Sequence, residues 1–219
     1  MVINTIKGLY VYNRLPQGAS SSASIFQKVM DQVLRGLENV ICYLDDVLVS
    51  GIDLEDCQAE FYFVLERLGK ANIKVNLKKC KFFATELQYL GHVLTIEGLL
   101  PCPQKIETIR EAKAPRNVSE LKAFLGLLNY YSKFIPNLSS RIQCLYGLLK
   151  KNVRFVWTEE CEQTFNECKS FLLRPCLLEY FDPMKPIVVT TDASSYGLGG
   201  VMSDIVAGEE RPICFTLLA

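Results

Sequence analysis

The stretch Val40-Ile-Cys-Tyr-Leu-Asp-Asp-Val-Leu-Val-Ser50 sets two adjacent carboxylates between two short apolar runs. Runs of this length read as strands, and the charged pair cannot follow them into a core. The pattern predicts a tight hairpin joined by Asp45 and Asp46, although that pair lacks the glycine such turns favour. Neighbouring carboxylates at a hairpin tip repel unless something positive meets them. A hard divalent cation does so, and two such cations can stabilise the attacking and leaving oxygens of phosphoryl transfer. The alternative is a pair of exposed turn aspartates bonding their own backbone.

Apolar spacing organises the chain around this hairpin. Ile25, Phe26, Val29, Met30, Val33, Leu34 and Leu37 fall on one helical face, with serines ahead of them as caps and Gly36 near the end. A second amphipathic helix is predicted over Leu54–Leu68, followed by strands after Ile73 and around Leu87–Leu94. Beyond Gly98 the texture is helical: a helix from Pro103 to about Glu111, a break at Pro115, then a capping box at Asn117-Val-Ser-Glu120 opening a run to near Phe134. Another helix is expected over about Ser139–Lys150, and a strand-like stretch over Val153–Trp157. Thr158 can cap a helix through Leu173 that carries Glu159 and Glu160 in its first turn. Strands are expected over Ile187–Thr191, ended by Asp192, over Ser195–Ser203, and over Ile213–Thr216.

With 219 residues the chain has room for one or two domains. Lys and Arg total 24, as do Asp and Glu, so the formal net charge of zero argues at first against a nucleic-acid partner. Counting by segment gives zero over residues 1–96, +6 over 97–155 and −6 over 156–219. The neutral sum conceals a basic middle. Nine cysteines and one histidine, without a C-x-x-C spacing, make a poor zinc site and fit free thiols in a reducing compartment. Neither a membrane span nor a secretory signal is visible.

Tyr43-Leu44-Asp45-Asp46 does not stand alone. Gly8-Leu-Tyr-Val-Tyr-Asn-Arg-Leu15, Leu15-Pro-Gln-Gly-Ala-Ser-Ser21 and Ser24-Ile-Phe-Gln-Lys-Val-Met-Asp31 precede it. Lys79-Cys-Lys-Phe-Phe83, Tyr89-Leu-Gly-His-Val-Leu94 and Phe124-Leu-Gly-Leu-Leu-Asn-Tyr-Tyr-Ser-Lys-Phe-Ile-Pro136 follow. In this order the motifs strongly resemble the reverse transcriptase of gypsy-type LTR retrotransposon Pol polyproteins. Phe155-Val-Trp-Thr158 and Val188-Val-Thr-Thr-Asp-Ala-Ser-Ser-Tyr-Gly-Leu-Gly-Gly200 carry the likeness into the start of an RNase H domain.

The resemblance implies an α/β (α+β) fold: a partial palm without fingers over 1–96, helical thumb and connection over 97–155, and connection with a truncated RNase H-like sheet over 156–219. It implies that Asp45 and Asp46 hold Mg2+ or Mn2+, two ions per complete site, and that Asp192 is the first metal-binding acid of the RNase H portion. Tyr43 and Leu44 would lie beside the primer terminus, Gln17 would help bind the incoming nucleotide, and Leu90, Gly91 and His92 would form the primer grip. For His92 a satisfied, half-buried histidine is the alternative. Lys74, Lys78, Lys79, Lys105, Arg110, Lys113, Arg116 and Lys122 are candidates for backbone phosphates, as is natural for a sequence-independent, salt-sensitive grip.

The implied partners are an RNA template, a DNA primer, deoxynucleoside triphosphates, an RNA–DNA hybrid and the remainder of the Pol polyprotein, with no membrane. The implied location is intracellular, cytoplasmic or nuclear, within virus-like particles rather than secreted. A third palm carboxylate has no counterpart ahead of Ser20, and the further RNase H acids have none before Ala219. The expectation is therefore a fragment of an RNA-directed DNA polymerase with RNase H whose two sites are incomplete. The alternative is a non-catalytic remnant that binds nucleic acid or a protein partner.

Overall fold

The computed structural model describes residues 2–16, 18–173, 176–194, 197–206 and 208–218. The chain divides into two compact units, residues 1–84 and 85–219.

In the first unit, β1 (Val2–Thr5) and β2 (Gly8–Val11) form an antiparallel hairpin that the apolar pattern did not predict. α1 (Ser22–Val33), β3 (Val40–Tyr43), β4 (Asp46–Val49) and α2 (Leu54–Lys70) follow. The predicted helical faces do the packing: Met30 of α1 and Leu34 just beyond its end meet Val64 and Leu68 from α2, with Val40, Cys42, Val47 and Val49 of the hairpin against them. At the start of α2, Asp53 accepts from the Asp56 amide at 2.8 Å and Asp56 accepts from the Ile52 amide at 3.0 Å. These bonds satisfy two amides near the helix entry. Serine capping of α1 is not observed. Ser21 has helical backbone angles and makes no side-chain cap bond. The Ser22 hydroxyl instead donates to the Pro16 carbonyl at 2.7 Å and that of Ser24 to the Ser21 carbonyl at 3.0 Å. After Ile73 there is no strand. The chain runs irregularly into a short 3-10 turn at Leu77–Lys79, because among the described residues no neighbouring strand pairs with it.

The second unit opens with the antiparallel sheet β5 (Glu86–Tyr89), β6 (His92–Thr95) and β7 (Gly98–Pro101). α3 (Pro103–Glu111) and α4 (Val118–Tyr130) come next, then a 3-10 turn at Ser132–Phe134. The capping box forms as predicted, with Asn117 accepting from the Glu120 amide at 2.9 Å and Glu120 accepting from the Arg116 amide at 2.8 Å. The helix expected over Ser139–Lys150 is two short pieces, α5 (Leu138–Arg141) and α6 (Gln143–Gly147). α7 (Glu159–Leu173) starts where expected, with the Thr158 hydroxyl accepting from the Cys161 amide at 3.3 Å. Val153–Trp157 is irregular rather than a strand.

Leu121, Leu128, Ile142, Leu145 and Leu172 are fully buried in one core with Ile109, Phe134 and Phe165. Burial of that many large side chains, each contributing about 1.5–3 kcal/mol, holds the helices together. The chain ends in an antiparallel sheet ordered β10-β9-β8, formed by β8 (Ile187–Ser194), β9 (Gly197–Val206) and β10 (Glu209–Leu218). β8 runs past Asp192, which does not end it, because pairing with β9 continues to Ser194 opposite Gly197. Among the described residues no helix is long and apolar enough to cross a membrane.

Candidate metal-binding hairpin and nucleic-acid contacts

The acidic hairpin forms, with one correction. Tyr43 pairs with Asp46, so the turn is Leu44-Asp45 and Asp46 already belongs to β4. Leu44 sits at φ 54°, in the left-handed region that costs a non-glycine residue about 1–2 kcal/mol. Gln27 of α1 holds it there. Its Oε1 accepts from the Leu44 amide at 2.6 Å, while Nε2 donates to the Cys42 carbonyl at 3.0 Å and to Asp31 at 2.8 Å. One helix side chain thus fixes both the strand end and the turn. Strain held by surrounding bonds is characteristic of sites where geometry matters.

Asp45 and Asp46 are exposed, and among the described residues neither forms a salt bridge. Burial raises the Cys42 thiol pKa, and the negative charges of Asp31, Asp46 and Asp45 push it further up. The hairpin tip is therefore a focus of uncompensated negative charge. Its donors are of the right kind for magnesium, which takes one or two carboxylates, keeps several waters and accepts substrate phosphates as its remaining ligands. Among the described residues no group of three or more His, Cys, Asp or Glu comes together as a metal cage. Gln17 lies outside the described residues.

In the second unit, Leu90 and Gly91 form the β5–β6 turn at φ 44° and 71°, with Tyr89 opposite His92. Consecutive tyrosines from α4 and its end clamp it. The Tyr130 hydroxyl donates to the Leu90 carbonyl, and the Tyr131 hydroxyl donates to the Gly91 carbonyl at 2.9 Å. The Cys102 amide also donates to the Gly91 carbonyl, at 3.1 Å. Tyr131 is fully buried, and burial pushes its phenol up to about 12.

His92 Nδ1 lies 2.7 Å from the Leu90 carbonyl, which can only accept, so Nδ1 carries the hydrogen. The ring stacks on Phe134 with centroids 5.7 Å apart and contacts Tyr130 and Tyr131. Nε2 is buried without a hydrogen-bond partner among the described residues. Desolvation holds the imidazole pKa below its usual value. The Leu90 bond opposes that shift and nearby Lys133 adds to it.

Lys74, Lys78 and Lys79 are exposed in the first unit, and Lys105, Arg110, Lys113, Arg116 and Lys122 in the second. Arg110 is partly neutralised by Glu107 at 2.9 Å. Asp192 is exposed on β8 opposite Gly199. Asp204, on β9 opposite Ile187, is fully buried and paired with Lys185 at 3.2 Å. Five strand positions separate it from Gly199, or about 17 Å at the usual rise, so it does not share a site with Asp192. Sequence reasoning missed Gln27, Tyr130 and Tyr131 as supporting residues. The only available signal was their place within motifs already singled out.

The family described as reverse transcriptase (RNA-dependent DNA polymerase) matches residues 1–94, which contain the hairpin and the β5–β6 turn. The RNase H-like domain found in reverse transcriptase matches residues 157–217. The chain is 35% identical to the retrovirus-related Pol polyprotein from transposon opus of Drosophila melanogaster, covering 97% of this chain and 22% of the relative. The chain belongs to the reverse transcriptase family of transposon Pol polyproteins.

The transposon Tf2-3 polyprotein of Schizosaccharomyces pombe is 34% identical over 90% of this chain and 15% of its own length. Among solved structures, the foamy viral protease-reverse transcriptase in complex with double-stranded DNA matches all of this chain and 38% of its own, at a TM-score of 0.85 and 27% identity. The same viral protein in complex with an RNA/DNA hybrid matches at a TM-score of 0.80 and 27% identity, over all of this chain and 30% of its own. The chain spans about a fifth of the length of the curated relatives it matches. These likenesses agree with the expected mixed helix-and-sheet fold of a reverse transcriptase continuing into an RNase H-like sheet.

Proposed function

We propose that this chain supplies the metal-binding hairpin and the duplex grip of an RNA-directed DNA polymerase, joined to an RNase H-like sheet. One observation carries the reading: Asp45 in the turn anchored by Gln27 and Asp46 at the start of β4 stand exposed and, among the described residues, without a salt bridge, within the segment that matches the reverse transcriptase family. Magnesium or manganese held there would lower the pKa of a primer 3′-hydroxyl and stabilise the charge that develops as it attacks the α-phosphate of a deoxynucleoside triphosphate. Tyr43 and Leu44 then flank the primer end, with Gln17 beside the incoming nucleotide. Leu90, Gly91 and His92 form the primer grip, stiffened by Tyr130 and Tyr131. The exposed lysines and arginines bind the phosphates of the RNA template and DNA primer. Asp192 is assigned to the metal of the RNase H portion, acting on the RNA–DNA hybrid.

The test is site-resolved. Paramagnetic Mn2+ should broaden the amide resonances of residues 43–47 at substoichiometric amounts, and Asp45→Asn with Asp46→Asn should abolish the effect. A labelled RNA–DNA hybrid should bind with an affinity that falls steeply between low and moderate salt. Broadening that survives in the double variant, or hybrid affinity that stays flat with salt, overturns the proposal.

A further inference from the structure

A notch of about 470 Å³ in the 85–219 unit is lined by Lys113, Ala114, Pro115, Arg116, Phe155 and Trp157. Neither the hairpin nor the β5–β6 turn contributes to it. Its wall is aromatic: Phe155 and Trp157 stack with centroids 6.3 Å apart and planes 22° from parallel, both half-buried. The indole is fixed in place, since Nε1 donates to Glu162 at 2.7 Å and the ring meets Phe165 edge-on at 6.0 Å. Its rim is cationic. Lys113 and Arg116 are exposed, and neither forms a salt bridge among the described residues. The segment that carries them is anchored by buried Pro115 and by Lys169, whose ammonium donates to the Ala112 carbonyl at 2.8 Å.

A small anion would use the two cations and leave the aromatic wall unused, and an apolar ligand would do the reverse. A nucleotide unit uses both, because its base can stack on the rings while its phosphates meet the cations. A duplex keeps its bases stacked inside and offers none to the wall. We propose that the notch holds one nucleotide of a single-stranded nucleic acid, with the base against Phe155 and Trp157 and the flanking phosphates on Lys113 and Arg116. The inference rests on the nucleic-acid reading above but employs a separate aromatic surface and predicts a different strand preference.

Trp157 is the only tryptophan, so its fluorescence reports this notch alone. The 219-residue chain would be titrated with a short single-stranded oligo(dT), a blunt DNA duplex and polyglutamate, with RNA–DNA hybrid binding followed separately by anisotropy. Oligo(dT) should quench Trp157, with a log–log salt slope near about −1.4 for two phosphates. The Lys113→Ala/Arg116→Ala variant should weaken quenching about tenfold or more, as should Phe155→Leu, which keeps the apolar packing but loses the ring. Polyglutamate should leave the signal unchanged, and a duplex, which offers phosphates to Lys113 and Arg116 but no base to the rings, should quench it far less than oligo(dT); equal quenching by the duplex overturns the notch. Absence of quenching by oligo(dT), equal quenching by polyglutamate, or an unaltered affinity in the double variant overturns the notch. If hybrid binding persists in that case, the duplex grip stands without it. Quenching by oligo(dT) with no hybrid binding leaves the notch standing and removes the grip.

Discussion

His92 opens β6 beside the Leu90-Gly91 turn. It is half-buried, but it is not the fully satisfied histidine offered as the alternative, because only Nδ1 has a hydrogen-bond partner among the described residues. Protonating it would place a charged N–H at Nε2, which is buried without an acceptor among the described residues. The unfolded chain therefore takes up a proton below about pH 6.5 that the folded chain resists. The stability that neutral His92 contributes is complete above that pH and is lost as pH falls through the lower folded value. His92→Phe keeps the ring stack and removes the titration. Urea midpoints measured from pH 7 to pH 5 should fall more steeply for the natural chain than for His92→Phe. As the only histidine, its imidazole should also titrate below the usual value by NMR. Parallel pH profiles for the two proteins would refute this account. The position of His92 was legible in the sequence, but its protonation was not, since that depends on rings brought in from α4 and the turn after it.

At the scale of elements, the β3–β4 and β5–β6 turns use one device: a left-handed residue held by side chains from a neighbouring helix or its end. The helices themselves were readable because apolar residues recur on one face, and α1, α2, α3, α4 and α7 form close to where that spacing put them. Strands were read less well, because extended conformation persists only where a partner lies alongside. Val153–Trp157 has the composition but, among the described residues, no such partner, while β8 extends through Asp192 because β9 accompanies it. The turn was misjudged by one residue since adjacent charges suggested the joint, whereas register placed Asp46 opposite Tyr43. Gln27→Ala tests the device directly. It removes the acceptor of the Leu44 amide and a donor to the Cys42 carbonyl, which should cost about 1–2 kcal/mol for two partly exposed bonds. Hydrogen exchange at Leu44 should accelerate by at least tenfold, while amides in α2 change little. Unchanged protection at Leu44 would show that the turn holds itself.

The two units of the whole molecule rest on unequal cores. The first has Met30, Leu34, Val64 and Leu68 as its buried centre, and its β1–β2 hairpin carries Leu9 72% exposed and Val11 64% exposed. Two-stranded hairpins are marginal alone, so β3–β4 depends on α1 and α2 for its stability. The second has a continuous core running from Ile106 through Leu178, with Leu99 and Leu178 tied by reciprocal backbone bonds of 2.8 and 3.1 Å. Gly98 beside them sits at φ 143°, where an added Cβ would meet the Leu178 carbonyl oxygen, so this bridge depends on a glycine. Segment charge was visible in the sequence, but this imbalance in burial was not, because both halves are rich in apolar residues and only packing separates them. The first unit should therefore open before the second. Trp157 belongs to the second unit, whereas far-ultraviolet circular dichroism reports helices in both. In urea the dichroism should begin to fall at a lower concentration than the tryptophan signal, and amides of α1 and α2 should exchange before those of α4 and α7. Coincident transitions by both probes would mean that the chain unfolds as one cooperative body despite its two cores.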